Sequence, residues 1–186
     1  MPPHVVHPNT DAFAKNLSDF AAVCRVVNGM KRFTIGVIGA RTTKFKTVRY
    51  DEITLQKYGI TCDTYDLSEL FYRVEKMDGN SDAVKAKIEK HIGYTDFSSV
   101  PKDKTETLAK VSVAIDDMMR EYHLDCITLR CWEEMQTVLG VAPCVLLSEL
   151  NDRGIVASCE IDLCSAINMY TMLLASQTPT ACLDWN

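Results

Sequence analysis

Residues 155–186, IVASCEIDLCSAINMYTMLLASQTPTACLDWN, carry the reading on which the fold turns. Ile155 to Cys159 is a short apolar run, and Glu160 follows it directly. Ile161 to Leu174 has helical length and is apolar on most faces. Ser176 to Pro179 breaks it, and Thr180 to Leu183 is a second short run that ends at Asp184. The pattern predicts strand, helix, strand. A right-handed crossover returns the chain parallel to its first strand, with neighbouring strands about 5 Å apart. Glu160 and Asp184, 24 positions apart, would then stand together at the carboxyl edge of the sheet, where open α/β folds place their ligands. Two carboxylates that close require a proton or a cation between them, and a divalent cation is the expectation. On spacing alone, Glu160 also reads as a first-turn acid favoured by the helix dipole, and Asp184 as a turn residue.

The same alternation recurs along the chain. Phe13, Leu17, Phe20, Cys24 and Val27 follow the spacing of one helical face. Phe33 to Ile38 (FTIGVI) predicts the first strand, and Gly39 opens a polar loop. A helix is expected from Val48 to Tyr58, a strand from Ile60 to Thr64 and a helix from Asp66 through Met77. Ala83 to His91 reads as a short solvated helix. Leu108, Val111, Ile115, Met118 and Tyr122 mark the clearest amphipathic helix. Leu124 to Leu129 predicts the third strand, with a helix to Leu139 beyond it, and Cys144 to Leu147 reads as a strand or extended segment. Strands alternating with helices predict an α/β fold, a doubly wound parallel sheet with helices on both faces in three layers, Rossmann- or flavodoxin-like. The expected division is a tail or linker remnant over 1–9, a central α/β domain over 10–178, and the start of a further domain over 179–186.

Bulk properties narrow the function classes. The chain has 186 residues, 47% hydrophobic and 24% charged, which suits one globular domain with ample core. A net charge of −5 without a basic cluster argues against a nucleic-acid surface. There is no run of 18 apolar residues for a membrane span, and the start shows no secretory signal. Eight cysteines lie mostly in apolar runs of a domain large enough to do without disulfides, so a reduced, cytoplasmic protein is expected. Neither C-x4-C pair, Cys126/Cys131 or Cys159/Cys164, has zinc-finger spacing.

Three further constellations bear on chemistry. The loop Gly39-Ala40-Arg41-Thr42-Thr43-Lys44-Phe45 occupies the dinucleotide-loop position but lacks the second and third glycines. Arg41 and Lys44 are candidates for a polar ligand or a neighbouring subunit, or are simply loop cover. Arg130-Cys131-Trp132 ends the third strand at the same edge as the acids. There Trp132 could wall a sugar site while Arg130 bonds hydroxyls; otherwise Trp132 packs in the core at a helix entry. Histidine is scarce: His4, His7, His91 and His123 do not follow strands as the acids do, and H-E-x-x-H is absent. Further metal ligands would have to come from water, substrate or chain beyond Asn186.

Three segments resemble the L-fucose isomerase family of aldose–ketose isomerases. IGVIGAR (35–41) with YGITCDTYDLSEL (58–70) is similar to the opening of that family's second α/β domain, and LRCW (129–132) is a second match. The most specific is Cys159-Glu160-Ile161-Asp162 followed by the aspartate of LDWN (183–186). The resemblance implies that Glu160 and Asp184 bind a catalytic Mn²⁺ and transfer protons, with Arg130, Trp132 and Arg41 toward the substrate. It implies an enediol mechanism on a sugar such as L-fucose or D-arabinose and a trimeric or hexameric homo-oligomer. It also implies that this chain corresponds to a central-domain fragment, inactive alone, because a metal-binding histidine belongs to the family's C-terminal domain. The alternative expectation is a non-catalytic sugar-binding or oligomerisation module, since a fold alone does not fix function.

Overall fold

The computed structural model describes residues 5–183. Four strands, β1 (Phe33–Ile38), β2 (Ile60–Tyr65), β3 (Cys126–Leu129) and β4 (Ala157–Cys159), lie in one all-parallel sheet in the order β2-β1-β3-β4. Seven α-helices accompany them among the described residues: α1 (Asp11–Met30), α2 (Glu52–Lys57), α3 (Leu67–Lys76), α4 (Asp82–Tyr94), α5 (Lys102–Glu121), α6 (Cys144–Asp152) and α7 (Leu163–Ser176).

Alternation along the strands divides the core into two layers. On one face, Ile38 and Leu129 join Leu70 of α3, Ile115 and Met118 of α5 and Leu146 of α6. On the other, Phe33, Ile35 and Val37 join Leu163, Ala166 and Met169 of α7. Burial on both faces is what makes β1 a near-continuous apolar run. The chain leaves β1 toward β2 on one side and returns past it to β3 on the other. The gap between β1 and β3 is therefore the topological switch point, where doubly wound sheets bind ligands beyond their carboxyl ends. The expected α/β three-layer class is the one observed.

Gly39 ends β1 at φ 101°, a left-handed conformation unfavourable to other residues. A Cβ there would also lie 2.8 Å from Arg130 Cβ. The glycine thus lets the loop after β1 run against the loop after β3.

At the outer edge, β4 is only three residues long. Val156, just before it, serves β3, its carbonyl accepting from Ile127 N–H. Ala157 faces away from β3, and the Asn151 side chain meets both of its backbone groups. Asn151 Nδ2 donates to Ala157 O (2.8 Å) and Oδ1 accepts from Ala157 N–H (3.1 Å). A second Nδ2 bond, to Leu147 O at 2.8 Å, anchors that amide to its own helix.

Several elements differ from expectation. Residues 180–183 do not form a strand, and among the described residues the sheet ends at β4. Thr180 Oγ1 instead donates to Met169 O, laying the segment back along α7. Cys144 to Leu147 opens helix α6. Its Leu146, Leu147 and Leu150 share a helical face, which the four-residue run read in isolation concealed. The helix expected from Val48 is a 3₁₀ turn, Lys46–Val48, followed by α2, because the Asp51 carboxylate accepts from Thr54 N–H and restarts the chain as a helix there. The helix expected up to Leu139 is a single π-helical turn, Met135–Leu139, entered through Glu133 at φ 68°. Helix α1 forms as its periodicity predicts, yet none of its residues is fully buried.

Candidate active site

Glu160 leaves the end of β4 in the left-handed region, φ 56°, and Ile161 follows at φ 61°. For a β-branched residue such as Ile161 this is a genuine outlier, and each such residue costs about 1–3 kcal/mol. The surroundings hold it there. Asp162 N–H donates to Cys159 O, Ser158 Oγ donates to Asp162 O, and the Ile161 side chain is buried in the α7 layer. Asp162 then caps α7, its carboxylate accepting from Ser165 N–H (3.0 Å) and Ser165 Oγ (2.6 Å).

The tight turn drives the Glu160 carboxylate back across the sheet edge, where it is buried. Oε1 accepts from Trp132 N–H at 3.0 Å and from the Cys131 thiol, both in the loop after β3. Oε2 accepts from Thr42 Oγ1 at 3.1 Å, in the loop after β1. One carboxylate from β4 therefore ties the two loops that flank the switch point. The Cys131 thiol is held far above the ordinary thiol range. A hydrogen bond with Cys159 is the largest cause, burial the next, and the Glu160 carboxylate adds to both. Cys131 thus meets Glu160 as a thiol that donates to Oε1.

Glu160 opens on a cavity of about 660 Å³. Trp132, half exposed, forms one wall with Phe45 tilted against it, ring centroids 6.1 Å apart. Tyr94 of α4 is across the same cavity and is tied to α6 by a 2.9 Å bond between its hydroxyl and Ser148 Oγ. Residues 179–183 complete the rim. Aromatic faces with a few convergent polar groups are the ordinary makeup of a small-molecule site.

The candidates named from the sequence separate in space. Glu160 and Trp132 share the larger cavity. Arg41 lines a second one, and its Nη1 donates to the carbonyls of Thr42, Thr43 and Phe45, bracing its own loop. Arg130 pairs with Glu134 at 2.7 Å along the chain beyond β3. Asp184 lies outside the described residues. Thr42, Cys131, Phe45 and Tyr94 join the site without having been singled out. Only the loop positions of the first three, after β1 and β3, pointed there.

The described residues do not by themselves fit a metal. No group of three His, Cys, Asp or Glu side chains among them could hold an ion, and both Glu160 oxygens are already engaged by protein donors. No described helix is long and apolar enough to cross a membrane.

No family model matches the chain. Curated relatives do. The chain is 28% identical over 174 residues to a sulfoquinovose isomerase of Priestia megaterium, an alignment covering 89% of the chain and 37% of that relative. It is 25% identical over 180 residues to the sulfoquinovose isomerase of Alkalicoccus urumqiensis, covering 93% and 39%. It is 22% identical over 174 residues to that of a Clostridium strain, covering 93% and 39%. The chain thus spans under two-fifths of the length of these relatives. Their names are those of a sugar isomerase, as the resemblance implied, but they name sulfoquinovose and not L-fucose.

Proposed function

We propose that this chain supplies the proton-transfer centre of an aldose–ketose isomerase acting on a sugar that bears a sulfo group, with Glu160 as the general base. The observation that carries the reading is the Glu160 carboxylate itself, held in a left-handed turn at the switch point and facing an aromatic-walled cavity. Support also comes from the shared name of the curated relatives. Oε1 carries two donors and Oε2 one, so Oε2 keeps a lone pair for a proton. In the proposed reaction Glu160 removes the proton from the hydroxyl-bearing carbon next to the carbonyl, giving an enediolate. The hydroxyl proton of that carbon passes to the former carbonyl oxygen, and Glu160 returns the carbon-bound proton to the former carbonyl carbon. Trp132 and Phe45 stack on the apolar face of the sugar. L-fucose and D-arabinose are comparison substrates for the assay.

A divalent cation, Mn²⁺ by the preference of carboxylate and water oxygens, belongs to the proposal through Asp184 and through chain outside residues 5–183. Because Glu160 is its one proposed ligand among the described residues, no step is written through it. Residues 10–178 would form the central domain of the larger enzyme and 179–186 the beginning of the next. A homo-oligomer completes the proposal.

Glu160→Gln in the full-length protein, assayed with added Mn²⁺, is expected to lower turnover by about 10²–10⁴-fold, the usual worth of a positioned base. Unchanged turnover removes Glu160 from the mechanism. Calorimetric Mn²⁺ binding that Asp184→Asn abolishes supports the metal, whereas sugar binding indifferent to Mn²⁺ points to a non-catalytic binding module.

A further inference from the structure

A second cavity, about 290 Å³, lies over the carboxyl ends of β1 and β2. Arg41, Arg49, Tyr50 and Thr64 line it, with Gly39 and Ile161 beneath, and no acidic side chain is among its walls. Neither arginine has an ion-pair partner among the described residues. Arg73, Arg120, Arg130 and Arg153 each meet a carboxylate within 2.9 Å. Arg41 spends Nη1 on loop carbonyls and keeps its remaining N–H groups. Glu52, whose charge is felt at Tyr50, lies outside the cavity. Burial is the main cause that raises the Tyr50 phenol above its ordinary value, and a bond from the Thr64 hydroxyl works the other way.

Two arginines and two hydroxyl-bearing residues around a small hollow supply the kind of donors with which arginine-rich sites hold a tetrahedral oxyanion. The hollow also shares a wall with the Glu160 site. Ile161 lines one cavity and Glu160 the other, and Arg41 adjoins Thr42, which bonds Glu160. In the order β2-β1-β3-β4 the end of β4 stands two to three strand spacings from the ends of β1 and β2, roughly 10–15 Å. The Glu160 carboxylate, bonded to Thr42 in the loop after β1, covers part of that span toward an extended six-carbon sugar.

We propose that this second cavity is the subsite for a tetrahedral oxyanion, sulfonate or phosphate, at the far end of the sugar whose carbonyl end meets Glu160. Assigning the anion to the substrate rests on the isomerase reading; the anion site itself does not. Arg49, exposed and without a side-chain bond among the described residues, is the specificity-determining residue.

The test is calorimetry on the full-length protein at fixed ionic strength, with a 6-sulfonated hexose, the corresponding hexose 6-phosphate and the uncharged hexose. At least one anionic sugar is expected to bind more tightly than the uncharged one. Arg49→Ala should weaken that binding about tenfold, the lower range for a charge-assisted bond, and Arg49→Lys should restore part of it. The uncharged hexose should ignore both changes. Tighter binding of the sulfonate or of the phosphate identifies which anion the subsite is built for. Equal affinity for charged and uncharged sugars, no binding of either anion, or indifference to Arg49→Ala overturns the proposal. The isomerase reading is judged separately, on turnover of Glu160→Gln, so either can fail alone.

Discussion

Thr42→Val would leave Glu160 Oε2 without its donor while keeping the side-chain shape. Stability should drop by about 1–2 kcal/mol, the cost of a buried acceptor left unpaired, and turnover should fall further than in Thr42→Ser, which retains the hydroxyl. Thermal denaturation alongside kinetics separates the two effects, and a Val variant as active as the Ser variant would discount the bond. Cys131 permits a second check. Its thiol is held protonated by Cys159, by burial and by Glu160, and Cys126 by burial. Both should be the last thiols alkylated by iodoacetamide at pH 8, well after the exposed Cys144. Mass spectrometry of labelled peptides reads the order directly. Glu160 was legible in the sequence, because an acid that directly closes a short apolar strand lands at the ligand-binding edge of a parallel sheet. Thr42 and Cys131 were not, since they reach Glu160 only once three separate strand ends are brought together.

Helices α4 and α6 are joined by a buried charge. Glu149 of α6 is 1% exposed and meets Arg153 at 2.8 Å, Lys87 at 3.5 Å and Lys90. Glu149→Gln should destabilise the fold on the order of 3 kcal/mol, the low end for a broken buried pair because Lys90 and Arg153 can turn to water. It should also loosen Tyr94 from the cavity wall, since Tyr94 and Ser148 lie on these same two helices. Beside them His91 is fully buried, its Nε2 3.1 Å from Ser112 Oγ. Burial first, then Lys87, push its pKa below the ordinary 6.5. The folded state therefore binds fewer protons than the unfolded chain. This contribution to stability is full above about pH 6.5 and is lost as pH falls from there through the lowered value. Asp116, held below the usual carboxylate range by Arg153 and Lys87 despite its burial, titrates only in stronger acid. Melting temperature should thus decline as pH falls below about 6.5, and His91→Gln should flatten that decline. None of this network shows in the sequence, where Ala83 to His91 reads as a solvated helix. The pattern of alternating charges hid a histidine that faces inward. Helix α6 was hidden differently, by a four-residue apolar run whose helical spacing appears only with the polar residues that follow it.

Across the molecule, the doubly wound class was readable because strand runs alternate with helical spacing throughout. The order of the strands was not, since spacing does not say which neighbour a parallel strand chooses. The strand expected at 180–183 beside β4 did not form, because Thr180 bonds Met169 O and the segment lies along α7, a tertiary contact that local spacing does not show. Helix α1 leaves Leu17, Phe20, Val23 and Val27 each more than half exposed, a surface of the kind that marks association. Sedimentation is expected to show concentration-dependent assembly that Phe20→Glu with Val27→Glu reverses; a monomer at every concentration would discard this. The β4 edge of the sheet behaves otherwise. A parallel sheet closed by a three-residue strand offers its last backbone groups to any extended peptide, the usual seed of runaway edge-to-edge polymerisation. Asn151 occupies that position with an amide that imitates a peptide unit, so the sheet is terminated by a side chain where a further strand would dock. A strand arriving from another molecule would therefore meet an amide in place of open backbone groups at Ala157.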